Sequence, residues 1–163
     1  MLRYPPKRFA QVIFASLLTC EVLANSAPTS RQTRIEEQPV YTNYKGVHIG
    51  MSANEVRKKL GEPSDKGNTQ DFYEFSPEET AQVTYDTSGL MIAISVTYFK
   101  ASEAPTAKNV LGVDVDPQYN GNVYRIIKYP KVGYWVSYSR TEGDPPVVTV
   151  TMSKIDPNKP STT

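Results

Sequence analysis

The chain has 163 residues, a hydrophobic content of 39% and a formal net charge of +1 at pH 7. This length and composition suit one modest globular domain with additional segments. The nearly neutral charge argues against a nucleic-acid-binding protein, because such a protein needs a basic surface that replaces the counterions around phosphates.

The N-terminus has the three parts of an export signal. The basic head contains Arg3, Lys7 and Arg8. A largely apolar stretch follows at 9–18, and Ala24, Asn25 and Ser26 then supply small residues suited to cleavage. The apolar stretch is too short to span a bilayer as a helix. We therefore predict that residues 1–26 are an export signal and that the protein is periplasmic, outer-membrane-associated or secreted. Removal of this segment takes away three cations and one anion, which changes the formal net charge from +1 to about −1.

Cys20 is the only cysteine and lies inside the predicted signal. Two outcomes remain open for it. Cleavage near Ser26 would remove it, whereas Leu17-Leu18-Thr19-Cys20 resembles a bacterial lipoprotein cleavage site, in which Cys20 would carry a lipid. In either case the rest of the chain contains no disulfide, so the hydrophobic core must stabilise the fold alone.

The segments that flank the predicted domain are polar and lack hydrophobic periodicity. Residues 27–42 are predicted to be a flexible linker, and residues 156–163, which contain two prolines, a disordered tail. The folded domain is therefore predicted at 43–155.

The segment 50–63 has the start and stop signals of a short helix. Ser52 is suited to cap the first free amides, and Glu55 is placed to bond back to the Ser52 amide. Gly61 is suited to end the helix, and Pro63 prevents its continuation. A helix this short is not stable alone in water, so its apolar side must pack against other elements.

Strand-like runs follow, in two groups of three that are separated by a second short helix. The helix is predicted at 102–111, ended by Gly112, with Pro105 in its first turn. The strands are predicted at 71–75, 81–86, 90–99, 122–129, 133–140 and 147–153.

The order of helix and three strands recurs along the chain. A shift of 51 residues places Tyr73 on Tyr124, and a shift of 54 residues aligns 94–98 with 148–152. We therefore predict two repeats, at 46–99 and 102–155. The predicted fold class is α+β, a two-layer sandwich of short helices packed on an antiparallel sheet.

Alternation along the strands assigns their side chains to two faces. The large apolar side chains are predicted to face the helices: Tyr73, Phe75, Val83, Tyr85, Ile92, Ile94, Val96 and Tyr98 in the first half, and Tyr124, Ile126, Tyr134, Val136, Tyr138, Val148, Val150 and Met152 in the second. The opposite face is predicted to be small and polar, with Trp135 as its one large central aromatic residue.

The motif Gly50-Met51-Ser52, with Glu55-Val56, Leu60-Gly61, Pro63 and the later run Val-Thr-Tyr-Asp-Thr-Ser-Gly-Leu at 83–90, resembles a known group. It is similar to the SmpA/OmlA (BamE-type) outer-membrane lipoproteins and to the related tandem-repeat β-lactamase inhibitor proteins, over residues 48–98. The resemblance implies an exported two-layer α+β protein that acts by binding other proteins. Single-unit members are accessory subunits of outer-membrane protein assembly, and tandem members grip an enzyme with their open sheet face. The matching residues imply a structural role only.

Residues of the polar face are the candidate protein interface. They are Trp135, Arg125, Glu74, Phe72, Thr149 and Thr151. Trp and Arg are residue types that anchor protein interfaces. The alternative is that a loop or the N-terminal segment covers Trp135, which would then belong to a second small core.

No catalytic, cofactor-binding or metal-binding residue is predicted. His48 is the only histidine, and the sequence contains no nucleophile elbow with which it could form a catalytic pair. The Asp and Asn residues of 114–122 do not match the spacing of a calcium loop. The predicted function is therefore an exported protein-binding module without catalytic activity, with another envelope or extracellular protein as its partner. A lipid-anchored accessory subunit of outer-membrane protein assembly is the first alternative, and a carboxylate-based hydrolase the second. The sequence leaves the oligomeric state open.

Overall fold

A computed structural model of the chain describes residues 38–156. The elements follow in the order α1 (Ala53–Leu60), β1 (Asp65–Lys66), β2 (Gln70–Ser76), β3 (Glu79–Tyr85), β4 (Met91–Tyr98), a 3₁₀ turn (Ala101–Glu103), α2 (Ala107–Leu111), β5 (Val123–Tyr129), β6 (Tyr134–Arg140) and β7 (Val148–Lys154). The six predicted strands are confirmed with small shifts at their ends, whereas the two-residue strand β1 was not predicted. No helix in this range is long and apolar enough to cross a membrane.

Helix α1 has the predicted capping box. The Ser52 hydroxyl accepts a hydrogen bond from the Glu55 amide at 3.4 Å, and the Glu55 carboxylate accepts one from the Ser52 amide at 2.9 Å. Gly61 ends the helix at a φ of 90°, a conformation that favours glycine. Val56 on the inner side of the helix is fully buried in the core.

The predicted α+β two-layer sandwich is wrong, because the sheet dominates the structure and α1 is the only substantial helix within residues 38–156. The second predicted helix, at 102–111, is reduced to the five residues of α2. Pro105 explains the difference, since the residue before a proline avoids the helical region. Ala104 is accordingly extended, at φ −80° and ψ 151°, and the helix begins only after Thr106 has capped it.

All seven strands form one antiparallel sheet in the order β1-β2-β3-β4-β7-β6-β5. Two three-stranded meanders, β2–β4 and β5–β7, lie side by side in it. They join through β4 and β7, whose pairing runs from Ala93 opposite Ser153 to Tyr98 opposite Val148. The sheet therefore has two continuous faces rather than one pair of faces for each predicted repeat.

One face of the sheet carries the core, which we call the core face. Val56 of α1 and Val110 and Leu111 of α2 belong to the same cluster of buried residues as the inward side chains of the strands. Most of the predicted core is confirmed, with Tyr73, Val83, Tyr85, Ile94, Val96, Tyr98, Tyr134, Val136, Tyr138, Val148, Val150 and Met152 all buried.

Two predicted core residues of β5, Tyr124 and Ile126, instead lie on the opposite face and are 52% and 39% exposed. Strand β5 has apolar side chains on both faces, so alternation alone does not orient it. Burial of Val123 and Tyr129 at its ends shows which face is inward. The alignment of Tyr73 with Tyr124 is therefore wrong, because the first is buried and the second is exposed.

Ile92 is also less buried than predicted, because β4 is irregular at this point. The pairing of β3 with β4 shifts between Thr84 and Tyr85, so that Tyr85 lies opposite Met91 rather than Ile92. Met91 takes the fully buried position. A bulge of this kind changes the face of the residues on one side of it, and the sequence pattern gives no sign of its place.

A buried carboxylate connects α1 to the sheet. Asp71 of β2 has no exposed surface and accepts hydrogen bonds from Arg57 Nε at 2.8 Å and Arg57 Nη2 at 2.9 Å. The Tyr85 hydroxyl donates to the same carboxylate at 2.8 Å, and the Gly67 amide at 3.3 Å. Burial acts to raise the pKa of Asp71, but the hydrogen bonds from Arg57 and Tyr85 outweigh burial and hold the pKa below its usual value.

Replacement of Asp71 should strongly destabilise the protein. We expect Asp71→Asn to lower the free energy of unfolding at pH 7 by about 3–5 kcal/mol, because Arg57 loses the charge that compensates it in a mostly buried site. The control is Asp114→Asn, which breaks the exposed pair between Lys108 and Asp114 at 3.1 Å and should cost less than about 1 kcal/mol. Urea unfolding followed by circular dichroism measures both, and equal losses would contradict the role assigned to Asp71.

The same carboxylate should make stability depend on pH in the acid range. Because the pKa of Asp71 is lower in the folded than in the unfolded protein, its contribution is fully present above the unfolded pKa of about 4 and is lost as the pH falls below that value. The difference in unfolding free energy between the wild type and Asp71→Asn should therefore narrow below about pH 4. A difference that stays constant from neutral to strongly acid pH would contradict this prediction.

Candidate functional site

The face opposite the core, which we call the open face, is formed by the outward side chains of β2 to β7. The strand pairings arrange them in three rows across the sheet. The rows are Gln70, Thr84, Ala93, Ser153, Trp135 and Lys128; Phe72, Gln82, Ser95, Thr151, Ser137 and Ile126; and Glu74, Thr80, Thr97, Thr149, Ser139 and Tyr124.

Small hydroxyl side chains occupy the middle of the open face. Ser95 and Thr151 lie on adjacent strands and share a hydrogen bond of 2.9 Å between their hydroxyl oxygens. Thr97, Thr149 and Ser139 continue the same pattern one row away. Neighbouring strands lie about 4.8 Å apart, so these short side chains form a shallow, closely spaced surface of polar groups.

Large side chains stand at both ends of this surface. Trp135 is half-buried between Lys128 on β5 and Ser153 on β7, which lie directly opposite it. Tyr124 and Ile126 extend the aromatic and apolar end along β5. At the other end Phe72 of β2 is 36% exposed.

The two ends also differ in charge. Lys128 lies beside Trp135. At the other end Glu74 is exposed, and Asp65 of β1 lies opposite Phe72 and therefore on the same face. The open face thus has one cationic end and one anionic end, separated by neutral hydroxyl groups.

The structure brings five of the six predicted interface residues to the open face: Trp135, Glu74, Phe72, Thr149 and Thr151. The sixth, Arg125, was placed there wrongly. It lies opposite Tyr138, a buried residue of the core face, so it projects to the side of the helices. Arg125 and Glu74 therefore lie on opposite faces of the sheet.

The sequence analysis missed three members of this surface. Tyr124, Ile126 and Lys128 lie on the open face once β5 is correctly oriented. No local signal separates the two orientations of β5, because either one places a cation, Arg125 or Lys128, on the core face. The proposed lipidation site, Cys20, lies outside the described residues.

A second concavity lies on the core face, beside α2. It has a volume of about 360 Å³, and small or apolar residues form most of its wall. The residues that line it are Ala101, Ala104, Pro105, Thr106, Ala107, Val115, Pro117, Val123, Tyr138 and Arg140. Pro105, which precedes α2, forms part of its wall.

The other residues considered for chemistry are dispersed. His48 is exposed, with Nδ1 3.0 Å from the Ile49 carbonyl oxygen. Within residues 38–156 no three His, Cys, Asp or Glu side chains come together in a way that could hold a metal ion.

Comparison with known proteins adds little to this geometry. No protein-family model matches the chain, and no curated protein matches it. A solved structure that it resembles is a DUF4309 family protein, YjgB, from Bacillus subtilis subsp. subtilis str. 168, with 12% sequence identity and a TM-score of 0.43. The match covers 69% of this chain and 84% of that chain, and a likeness this weak carries no argument about function. The resemblance to SmpA/OmlA proteins remains a prediction.

Loss of the Trp135 side chain should cost much less stability than loss of a core aromatic residue. Tyr73 is almost fully buried, and we expect Tyr73→Ala to lower the free energy of unfolding by about 3–5 kcal/mol. Trp135→Ala should cost less, about 1–2 kcal/mol, because the Trp135 side chain is only partly buried. Urea unfolding measures both. If the two losses are equal, Trp135 belongs to a second core.

Proposed function

We propose that the protein is an exported, non-enzymatic module that binds a partner protein through its open face. The observation that carries the proposal is the central patch of small hydroxyl groups, with Phe72 on β2 at one side of it and Trp135 on β6, in the neighbouring row, at the other side. The helices α1 and α2 supply their buried residues to the core on the other side, so neither of them covers this face.

The composition of the open face suits protein recognition. Short Ser and Thr side chains let a partner approach the sheet closely and offer hydrogen bonds in both directions. Trp135, Tyr124 and Phe72 are rigid aromatic groups of the type that supplies most of the binding energy in interfaces. Hydroxyl groups and aromatic anchors together match the mixture of polar and apolar area that is usual in transient complexes.

The charge separation along the face supports a defined orientation of the partner. Lys128 lies at the Trp135 end, and Glu74 and Asp65 lie at the Phe72 end. A partner with the opposite arrangement would associate faster in one orientation, and like charges would oppose the reverse orientation. The proposed partner is therefore an exported protein with an acidic patch at one end of its contact surface and a basic patch at the other.

Affinity capture of a partner by the tagged full chain tests the proposal. The bait is incubated with an envelope extract of the bacterium that makes it. Two variants change the open face, Trp135→Ala at one end and Thr151→Lys in the middle. The matched control is Tyr119→Ala, a fully exposed loop residue off this face.

Both face variants should lose the captured protein, while the control retains it and all three keep the melting temperature of the wild type within a few degrees. Titration of the purified partner should then show binding to Trp135→Ala weakened by about 30-fold, as expected for an aromatic anchor worth about 2 kcal/mol. Equal capture by all baits, or no specific capture by the wild type, would overturn the proposal.

A further inference from the structure

The concavity beside α2 has an apolar wall with polar groups on one of its sides. Tyr138 and Arg140 of β6 bring a hydroxyl and a guanidinium to it. Thr106 is the other polar residue of the wall, and its hydroxyl already accepts a hydrogen bond from the Asn109 amide at 3.2 Å. Within residues 38–156 no Asp or Glu lines the concavity. Its volume of about 360 Å³ lies in the range of small-molecule sites, about 300–1,000 Å³.

The hydroxyl of Tyr138 has no hydrogen-bond partner in the described part of the chain, although the residue is only 5% exposed. Buried hydroxyl groups in proteins normally have a partner, so one without a partner indicates a group that is absent from the structure. Burial raises the pKa of Tyr138, and the hydroxyl is therefore protonated at neutral pH and able to donate a hydrogen bond.

The side chain of Arg140 stands at the mouth of the concavity, since it lines the wall and is also exposed. Its guanidinium forms no ion pair with any carboxylate of residues 38–156. Arg140 and Tyr138 are alternate residues of β6, so they lie on the same face with their Cα atoms about 7 Å apart. A cation and a hydrogen-bond donor are therefore placed together beside one apolar space.

We propose that this concavity binds a small monocarboxylic acid with an apolar body, whose carboxylate is held by Arg140 and Tyr138. An ionised carboxylate only accepts hydrogen bonds, and both of these side chains are able to donate, so one carboxylate satisfies both. The body of the acid packs on the Ala, Pro and Val side chains of the wall, which removes apolar surface from water. Arg140 repels a cationic ligand, and a neutral ligand gains no charge-assisted hydrogen bond from it.

This inference goes beyond the proposed function, because the concavity lies on the core face and the partner is proposed to bind the open face. Trp135→Ala leaves the wall of the concavity unchanged, and substitutions in that wall leave the open-face side chains unchanged. The two proposals therefore fail separately.

Titration of the isotope-labelled full chain with octanoate, followed by nuclear magnetic resonance, tests the site. The backbone amide signals of Ala104, Ala107, Val123 and Tyr138 should shift progressively and reach saturation. Octanamide is the matched control ligand, since it has the same alkyl chain without the charge. It should bind about tenfold more weakly, because a charge-assisted hydrogen bond is replaced by a neutral one.

Variants of the two polar side chains test how the carboxylate is held. Arg140→Gln should weaken octanoate binding by about fivefold, and Tyr138→Phe by about threefold. Tyr138→Phe should also leave stability towards urea unchanged, because no residue of 38–156 bonds to its hydroxyl. The matched control is Arg125→Gln, which removes a cation that lies opposite Tyr138 on the same face but outside the wall. It should change the affinity by less than about twofold.

A variant that fills the concavity tests the place of binding. Ala107→Leu adds bulk to the wall, and leucine suits the helical conformation of that residue. The variant should keep the melting temperature of the wild type within a few degrees and lose the saturable octanoate shifts.

Three results would overturn the inference. The first is a wild type whose signals show no saturable shift with octanoate. The second is equal affinity for octanoate and octanamide. The third is an equal loss of affinity in Arg140→Gln and Arg125→Gln, which would indicate diffuse attraction by positive charge rather than a defined carboxylate site.

Discussion

The pairing of β4 with β7 is the constraint on which the rest of the structure depends. It runs over six residues of each strand and joins two meanders that would otherwise be separate small sheets. Because side chains alternate strictly along paired strands, this register brings Ile94, Val96 and Met152 onto a common core face and Ser95 and Thr151 onto a common open face. One core and one open face follow from it. The binding face proposed above therefore spans both halves of the domain.

The sequence predicts the local elements of this fold well. The capping box at Ser52 and Glu55 and the alternating strands depend on neighbouring residues, which a sequence displays directly. The predicted fold class was wrong because Pro105 shortens the second helix to five residues. Its place in the first turn of the predicted helix suggested that the helix would tolerate it, but the residue before it, Ala104, is extended. The joining of two meanders into one sheet depends on contacts between distant strands, which local pattern does not contain.

The candidate site was predicted in part, and its errors have one origin. Trp135, Thr149 and Thr151 were placed on the open face because their strands alternate clearly between apolar and polar residues. Strand β5 has apolar residues on both faces, so its orientation was taken from the predicted repeat, which gave the wrong one. Arg125 was therefore assigned to the open face and Tyr124 to the core face, the reverse of what the structure shows. The Asp71–Arg57 contact was not predicted. A charged residue within a strand is normally assigned to the exposed face, and local pattern does not show that Arg57 of α1 lies close enough to pair with it.

Collisional quenching of tryptophan fluorescence tests the open face most directly, because Trp135 is the only tryptophan in the chain. Acrylamide quenching is compared for the native full chain, for the same chain unfolded in urea, and for the complex with a captured partner. An open face predicts that the native protein is quenched at a substantial fraction of the unfolded rate and that the partner protects it. A native Trp135 that is already as protected as a buried core residue would contradict the open face and the function proposed for it.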